Sequence, residues 1–112
     1  MKTDIRTVKD VRIVDWSGKI TLGDETMTFR QTMRDLVKHG VKKIILNLGD
    51  VIYIDSSGVG ELVSTYATVT NNGGQLKLLK LTNKIHELLT VTKLLTVFEV
   101  FDNEEDALAS FE

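Results

Sequence analysis

The chain has 112 residues, which suits one compact domain, and we expect a single domain over residues 1–112. Hydrophobic residues make up 42% and charged residues 27%, a profile typical of a globular protein. Fourteen basic and sixteen acidic residues give a net charge of −2, so the overall charge does not favour binding to nucleic acid or to an anionic membrane. Lys42 and Lys43 form the only adjacent basic pair, so a local basic patch is not expected either.

Cysteine is absent, which excludes disulfides and thiolate ligands. The segment from Met1 to Thr7 is polar and lacks the apolar stretch of a signal peptide. No run of about 18 apolar residues predicts a transmembrane helix. We therefore expect a cytoplasmic protein without membrane association, cofactor or metal.

The first half of the chain alternates short β-favouring and helical patterns. Ile5 to Val8 and Val11 to Trp16 flank the polar pair Lys9-Asp10 and predict a hairpin. Apolar residues at helical spacing then predict a helix that ends near Gly40. The apolar run from Ile44 to Leu48 predicts a strand that is covered on both faces, as in a parallel sheet.

The second half continues this alternation. It predicts a helix through Val59 and Leu62 that stops at 71–74, and then a strand from Leu76 to Leu81. A helix follows the predicted N-cap Thr82, and a further strand runs from Val97 to Phe101. A short helix closes the pattern, with capping-box spacing between Asp102 and Glu105. The order ββαβαβαβα predicts a mixed α/β domain, with parallel strands, flanking helices and an antiparallel hairpin at one edge.

The most unusual segment is a predicted loop from Asp50 to Gly60, between a strand and a helix. Functional groups of parallel sheets gather at such carboxyl ends of strands. Asp55, Ser56 and Ser57 are all favoured N-cap residues, and we expect Glu61 to face the positive end of the helix dipole.

Glycines at Gly58 and Gly60 predict a bare first turn that another chain can approach closely. A serine hydroxyl at this helix start is accessible, and a phosphate on it adds a charge of about −1.5 to −2. Asp55 would repel such a phosphate and direct it towards a partner. Alternatively, Ser56 and Ser57 serve only as a helix cap, and residues 51–54 form a strand or staple over the core.

The run from Ile44 to Gly60, IILNLGDVIYIDSSGVG, closely resembles the signature of the STAS domain of bacterial anti-sigma-factor antagonists. In that signature an apolar strand is followed by Asp-Ser-Ser/Thr-Gly, a hydrophobic residue and Gly. The glycine turn at 18–20, the Gly-Gly-Gln-Leu at 73–76 and the acidic segment with Ala-Leu at 104–108 also resemble the family. The resemblance implies a STAS-type mixed β-sheet flanked by helices.

The resemblance also implies a function in partner switching and transcription regulation. An unphosphorylated antagonist of this family binds an anti-sigma factor that is also a GHKL-type serine kinase, which frees the sigma factor. Phosphorylation ends this binding, and a PP2C-type phosphatase restores it. By position the acceptor is Ser56, with Ser57 less favoured, and the partner-binding residues are Asp55, Ser56, Ser57, Gly58, Val59 and Gly60. The family also implies a non-enzymatic monomer.

One position departs from the family pattern. Many members carry an aspartate after the glycine turn, whereas Thr21 stands here, in a loop that commonly faces the partner. Asp24 is a candidate for the missing charge. We therefore place Thr21 and Asp24 in the predicted partner-binding surface.

Two other functions are considered. A STAS scaffold, or a subunit of a signalling assembly or lipid-transport system, would share the fold without phosphorylation. An enzyme is disfavoured because Ser56 does not lie in a nucleophile-elbow motif, and His39 and His86 are predicted on helix surfaces. Trp16, Phe98, Met27 and Met33 are predicted to pack in the core, although the methionine helix could flank a partner interface.

Overall fold

The computed structural model describes residues 2–21 and 23–112. Five strands form one sheet in the order β1-β2-β3-β4-β5. The first pair is antiparallel and the other three pairs are parallel, which confirms the predicted mixed sheet with a hairpin at its edge. The strands are β1 (Lys2–Val8), β2 (Val11–Ile20), β3 (Lys43–Ile54), β4 (Gln75–Leu79) and β5 (Glu99–Phe101).

Four α-helices connect or follow these strands, so the predicted element order is also confirmed. They are α1 (Asp24–Lys38), α2 (Ser56–Asn71), α3 (Asn83–Val91) and α4 (Glu104–Ala109), with a 3₁₀ turn at Leu95–Val97. Thr82 caps α3 as predicted, since its side chain accepts a hydrogen bond from the amide of Ile85.

The pleat of the central strands divides the core between two faces. One face of β2 and β3 carries Val14, Trp16, Ile44 and Leu46, and the larger part of the core lies between this face and α1, α2 and α3. The opposite face carries a smaller cluster that includes Ala107 of α4. The unbroken apolar run in β3 follows from this arrangement, because both of its faces are covered.

Strand β2 is longer than predicted and continues through Gly18, where a turn was expected. It pairs with β3 as far as Ile20, with register shifts between Asp15 and Ser17 and between Gly18 and Lys19. Gly18 has a φ of 91°, which a glycine adopts without strain. The prediction of a turn here is wrong because the glycine sits at an irregularity within a strand that continues.

Strand β3 is also longer than predicted, and the expected loop from Asp50 is largely absent. The strand runs to Ile54, and α2 starts at Ser56. Val51 and Ile54 are buried, so the alternative interpretation of this segment as a strand over the core is confirmed. The connection between strand and helix is therefore Asp55 alone.

Two predicted elements near the C-terminal end of the sequence shift slightly. Phe98 lies before β5 rather than in it, and residues 95–97 form the 3₁₀ turn. Asn103, not Asp102, caps α4, because its side chain accepts a hydrogen bond from the amide of Asp106. Both differences leave the order of the elements unchanged.

Candidate functional site

Asp55 links the end of β3 to the start of α2 and caps the helix. Its Oδ1 accepts a hydrogen bond from the amide of Gly58 at 2.9 Å. Its carbonyl accepts from the amide of Val59 at 3.0 Å, and its own amide donates to the carbonyl of Ile20 at 3.4 Å. The residue therefore ties the helix start to the ends of β2 and β3, which fixes the position of the residues that follow.

Ser56 and Ser57 are the first two residues of α2, and both are exposed. Neither hydroxyl has a hydrogen-bond partner among the side chains and backbone that the structure describes. Both therefore face solvent at the positive end of the helix dipole, where an anionic group is stabilised. Of the two, Ser56 directly follows the capping carboxylate.

Gly58 and Val59 occupy the inner side of the same turn. Both are buried, and a Cβ at position 58 would lie 2.6 Å from Cγ1 of Ile54 and 2.8 Å from Cγ2 of Ile20. The prediction that Gly58 leaves the backbone open to another chain is wrong, because this glycine lets α2 approach its own sheet. Gly60 faces open space and is exposed, so it does present a bare surface.

Glu61 lies one turn further along α2 and joins this helix to α1. It is only 3% exposed, and its carboxylate accepts hydrogen bonds from Nη2 of Arg30 at 2.7 Å and from Nε at 3.1 Å. This bond raises the pKa of the Arg30 guanidinium. The prediction that Glu61 faces the end of the helix dipole is wrong, because its charge is balanced by Arg30 instead.

The two remaining predicted site residues lie between β2 and α1. The carbonyl of Thr21 accepts a hydrogen bond from the hydroxyl of Thr26, which is buried in the first turn of α1. Thr21 itself is half-buried. Asp24 is the first residue of α1, but its side chain lies outside the described part of the structure.

Three exposed apolar side chains lie at this end of the sheet and were not predicted as part of the site. Ile52 is 74% exposed and Tyr53 is 45% exposed, four and three positions before Ser56. Met27 in the second turn of α1 is 62% exposed, so its predicted packing is wrong, whereas Met33 is buried. The sequence signal was the pattern at the end of β3, where Val51 and Ile54 are buried and the two apolar residues between them are not. We call Met27, Ile52 and Tyr53 the apolar rim.

The aromatic residues predicted in the core and the two histidines take no part in this site. Trp16 stacks on Phe29 with ring centroids 3.7 Å apart, and Phe98 packs edge-on against Tyr66. Both histidines are exposed as predicted, with His86 on α3 and His39 at the C-cap position of α1. None of these side chains joins the group at the start of α2.

The chain matches a known domain family over nearly its whole length. A model of the STAS domain matches residues 2–107, which include every element described above except the end of α4. The chain belongs to the STAS domain family.

Relatives and solved structures agree with this assignment. An anti-sigma F factor antagonist from Paenibacillus polymyxa is 27% identical over 93% of this chain and 89% of its own length. A crystal structure of a Thermotoga maritima protein assigned as an anti-sigma factor antagonist superposes with a TM-score of 0.88 at 25% identity, over 96% of this chain and 92% of that one. The Bacillus cell-fate determinant SpoIIAA in its phosphorylated form shares the fold, with a TM-score of 0.76 at 17% identity, over 99% of this chain and 100% of that one.

Within residues 2–21 and 23–112, none of the helices combines the length and apolar character needed to cross a bilayer.

Proposed function

We propose that this STAS domain is an anti-sigma-factor antagonist whose binding is switched off by phosphorylation of Ser56. In the unphosphorylated form it binds an anti-sigma factor that is also a serine kinase, and the sigma factor is released. A PP2C-type phosphatase removes the phosphate and restores binding. The chain itself contributes an acceptor hydroxyl and a docking surface, and the catalytic groups belong to its partners.

The observation that carries this proposal is the position of Ser56. Its hydroxyl is exposed, unpaired among the described residues and fixed at the first position of α2 by the Asp55 cap. A kinase needs such a hydroxyl on a surface that it can reach. A rigid helix start also presents the acceptor in one geometry, which favours transfer by a partner that docks in a defined orientation.

The surface around Ser56 has the character of a protein contact. The apolar rim offers Ile52 and Tyr53 on the strand that leads to the acceptor, and Gly60 leaves the outer side of α2 without a side chain. Aromatic residues and methionine are enriched in the buried centre of interfaces, where charged groups are depleted. A partner that covers this surface would remove the Ser56 hydroxyl from water.

A phosphate in this contact opposes binding for two electrostatic reasons. It adds a charge of about −1.5 to −2 that the partner would have to desolvate. It also stands beside Asp55, whose carboxylate already takes the amide of Gly58 and so removes one donor that could neutralise the phosphate. The helix dipole therefore offsets only part of the added charge, and the remainder acts on the partner surface.

The relatives support the same function. The Paenibacillus polymyxa protein acts on an anti-sigma F factor according to its name, and it spans nearly the same length as this chain. SpoIIAA, which shares the fold, exists in a phosphorylated form. These relationships support both parts of the proposal, the class of partner and the modification.

Binding of serine variants to a cognate anti-sigma factor serine kinase tests the proposal. Ser56→Ala should bind as tightly as the parent, and Ser56→Asp should bind at least about tenfold more weakly, because it places a negative charge in the contact. Ser64→Asp is the matched control, since Ser64 is exposed on α2 but lies two turns from the acceptor.

Isothermal titration calorimetry in the presence of nucleotide distinguishes the outcomes. Loss of affinity only in Ser56→Asp would support an electrostatic switch at the start of α2. Equal affinity of Ser56→Asp and the parent, or an equal loss in Ser64→Asp, would contradict it. An unphosphorylated STAS scaffold would show no dependence on residue 56.

A further inference from the structure

A cleft lies at the end of the sheet opposite Ser56. It has a volume of about 330 Å³ and is lined by the hairpin turn, the end of α1 and the start of β3. Its charged and titratable side chains are Lys9, Asp10, Arg12, His39, Lys42 and Lys43. We call this group the basic cleft. It carries four permanent positive charges and one carboxylate, although the whole chain has a net charge of −2.

The fold assembles these charges from two stretches of the chain, residues 9–12 and 39–43. Lys9, which has a φ of 55°, lies in the turn of the hairpin. Arg12 lies in the second strand of the same hairpin. His39 follows the last residue of α1, Lys42 precedes β3, and Lys43 is the first residue of that strand. The sequence contains only one adjacent basic pair, so the concentration of charge results from tertiary structure.

Arg12 is the residue that most requires a partner. It is half-buried, and among residues 2–21 and 23–112 no carboxylate or carbonyl forms a hydrogen bond or ion pair with it. Arg6, on the neighbouring strand, instead binds both Asp15 and Glu104. A guanidinium that lines a cleft without an acceptor of its own favours an anion that can supply one.

The other cations of the basic cleft are only partly engaged. Lys43 pairs with Asp10 at 2.8 Å, and Lys42 donates to the carbonyl of Asn72. Lys9 is exposed and lies 4.0 Å from Glu112, at the limit of an ion pair. Nδ1 of His39 contacts the carbonyl of Asp35 at 2.7 Å, which leaves Nε2 for another group. The single carboxylate in the cleft is therefore already neutralised.

A second hollow adjoins the basic cleft and shares Arg12 and His39 with it. This hollow also measures about 330 Å³ and adds Ile5 and Leu36 as apolar walls, with Asp35 at its edge. Ile5 is 44% exposed although it lies in a strand. Together the two hollows offer a cationic end and an apolar end to one elongated ligand, within the size range of about 300–1,000 Å³ typical of ligand sites.

We propose that the basic cleft binds a small soluble phosphomonoester, with its phosphate at Arg12 and its organic part against Ile5. Arginine forms paired hydrogen bonds with phosphate oxygens, and the nearby lysines add positive potential. The C-terminal end of α1 opposes an anion through its dipole, but the carbonyls of Asp35, Leu36 and Val37 already accept hydrogen bonds from the residues that follow the helix. The site is independent of the switch at Ser56.

A titration followed by ¹⁵N–¹H NMR tests this proposal on the intact chain. The probes are phenyl phosphate, inorganic phosphate and vesicles of phosphatidylglycerol in phosphatidylcholine. We expect saturable shifts at residues 9–12 and 39–43 with phenyl phosphate, and weaker binding of inorganic phosphate because it cannot contact the apolar wall. Shifts spread over unrelated lysines such as Lys84, or a response to the vesicles alone, would overturn the proposal.

Substitutions distinguish a specific binding site from a general attraction of anions to positive charge. Arg12→Gln should weaken phenyl phosphate binding at least about tenfold, because it removes a charge-assisted pair of hydrogen bonds. Arg34→Gln is the matched control, since Arg34 is exposed on α1 outside both hollows. Lys9→Asn provides a second test if Arg12→Gln does not fold, because asparagine tolerates a positive φ. Equal losses in the control, or unchanged binding in both cleft variants, would contradict the proposal.

Discussion

Gly58 packs against Ile20 so closely that no side chain fits between the first turn of α2 and the end of β2. The Asp55 cap lies in the same junction, because its amide donates to the carbonyl of Ile20. The geometry of Ser56 therefore depends on contacts within the chain itself. The two glycines of this turn therefore have different roles, because Gly58 packs against the sheet and Gly60 lies at the surface.

Substitution of these two glycines should change stability in opposite directions. Gly58→Ala should destabilise the fold by about 1–3 kcal/mol, because the new methyl group would contact β2 backbone that cannot move freely. Gly60→Ala should stabilise it by about 0.5–1 kcal/mol, since this position is open and helical. Urea unfolding followed by the fluorescence of Trp16, the only tryptophan, measures both. Equal effects of the two substitutions would contradict this description of the turn.

The pair Arg30–Glu61 should hold α1 and α2 together beside the proposed docking surface. Arg30→Met should lower the urea midpoint more than Arg34→Met, because it leaves the buried Glu61 carboxylate without its partner. Arg34 is a suitable control because it lies exposed on the same helix.

The double variant Arg30→Met, Glu61→Met should recover part of the stability lost in Arg30→Met alone, because it removes the orphaned charge. If the two substitutions were simply additive, Arg30 and Glu61 would not be coupled. The same urea unfolding experiment measures this coupling as a double-mutant cycle.

Acid should destabilise the protein partly through Asp15. Two hydrogen bonds from Arg6, at 2.6 and 2.9 Å, and one from Asn47 hold the pKa of this carboxyl below its ordinary value. The folded pKa is depressed, so the stabilisation is present above the unfolded pKa and is lost as pH falls through the folded one.

Asp15→Asn should therefore be less stable than the parent at neutral pH, and the difference should shrink below about pH 4. Thermal unfolding across this range measures the difference directly. If the difference in unfolding temperature between parent and variant stayed constant with pH, the ionisation of Asp15 beside Arg6 would not contribute to stability.

Local patterns in the sequence were sufficient to predict the element order. The hairpin was predicted from the Lys9-Asp10 turn, and the central strand from the apolar run between Ile44 and Leu48. Each of these patterns lies within a few consecutive residues. The end of β3 was misplaced because Gly49-Asp50 interrupts the apolar run as a turn would. Pairing with the irregular end of β2 carries the strand past that interruption.

The candidate site was only partly predictable, for a related reason. Asp55 was one of three predicted N-cap residues, because capping depends on adjacent residues, and the structure shows it as the cap. The assignment of Ser56 as acceptor follows from the family resemblance and stays a prediction. The contact of Arg30 with Glu61 joins residues 31 positions apart, and no local pattern indicates it. The burial of Gly58 likewise depends on Ile20, which belongs to a different strand.

Ser57 offers a close internal control for the position of the phosphate. It is exposed and adjacent to Ser56 in the first turn of α2. We expect Ser57→Ala to remain a substrate of the kinase and Ser56→Ala to take no phosphate, which intact-mass measurement of each variant would check. Phosphorylation of Ser56→Ala to the same extent as the parent would move the acceptor to another residue.

The most direct test of the central claim is tandem mass spectrometry of the parent chain after incubation with ATP and a cognate anti-sigma factor serine kinase. The account predicts one phosphate, located on Ser56, and its removal by a PP2C-type phosphatase. If a kinase shown to be active left the chain unmodified, or placed the phosphate on Ser57 instead, the assignment of Ser56 as the switch would be contradicted.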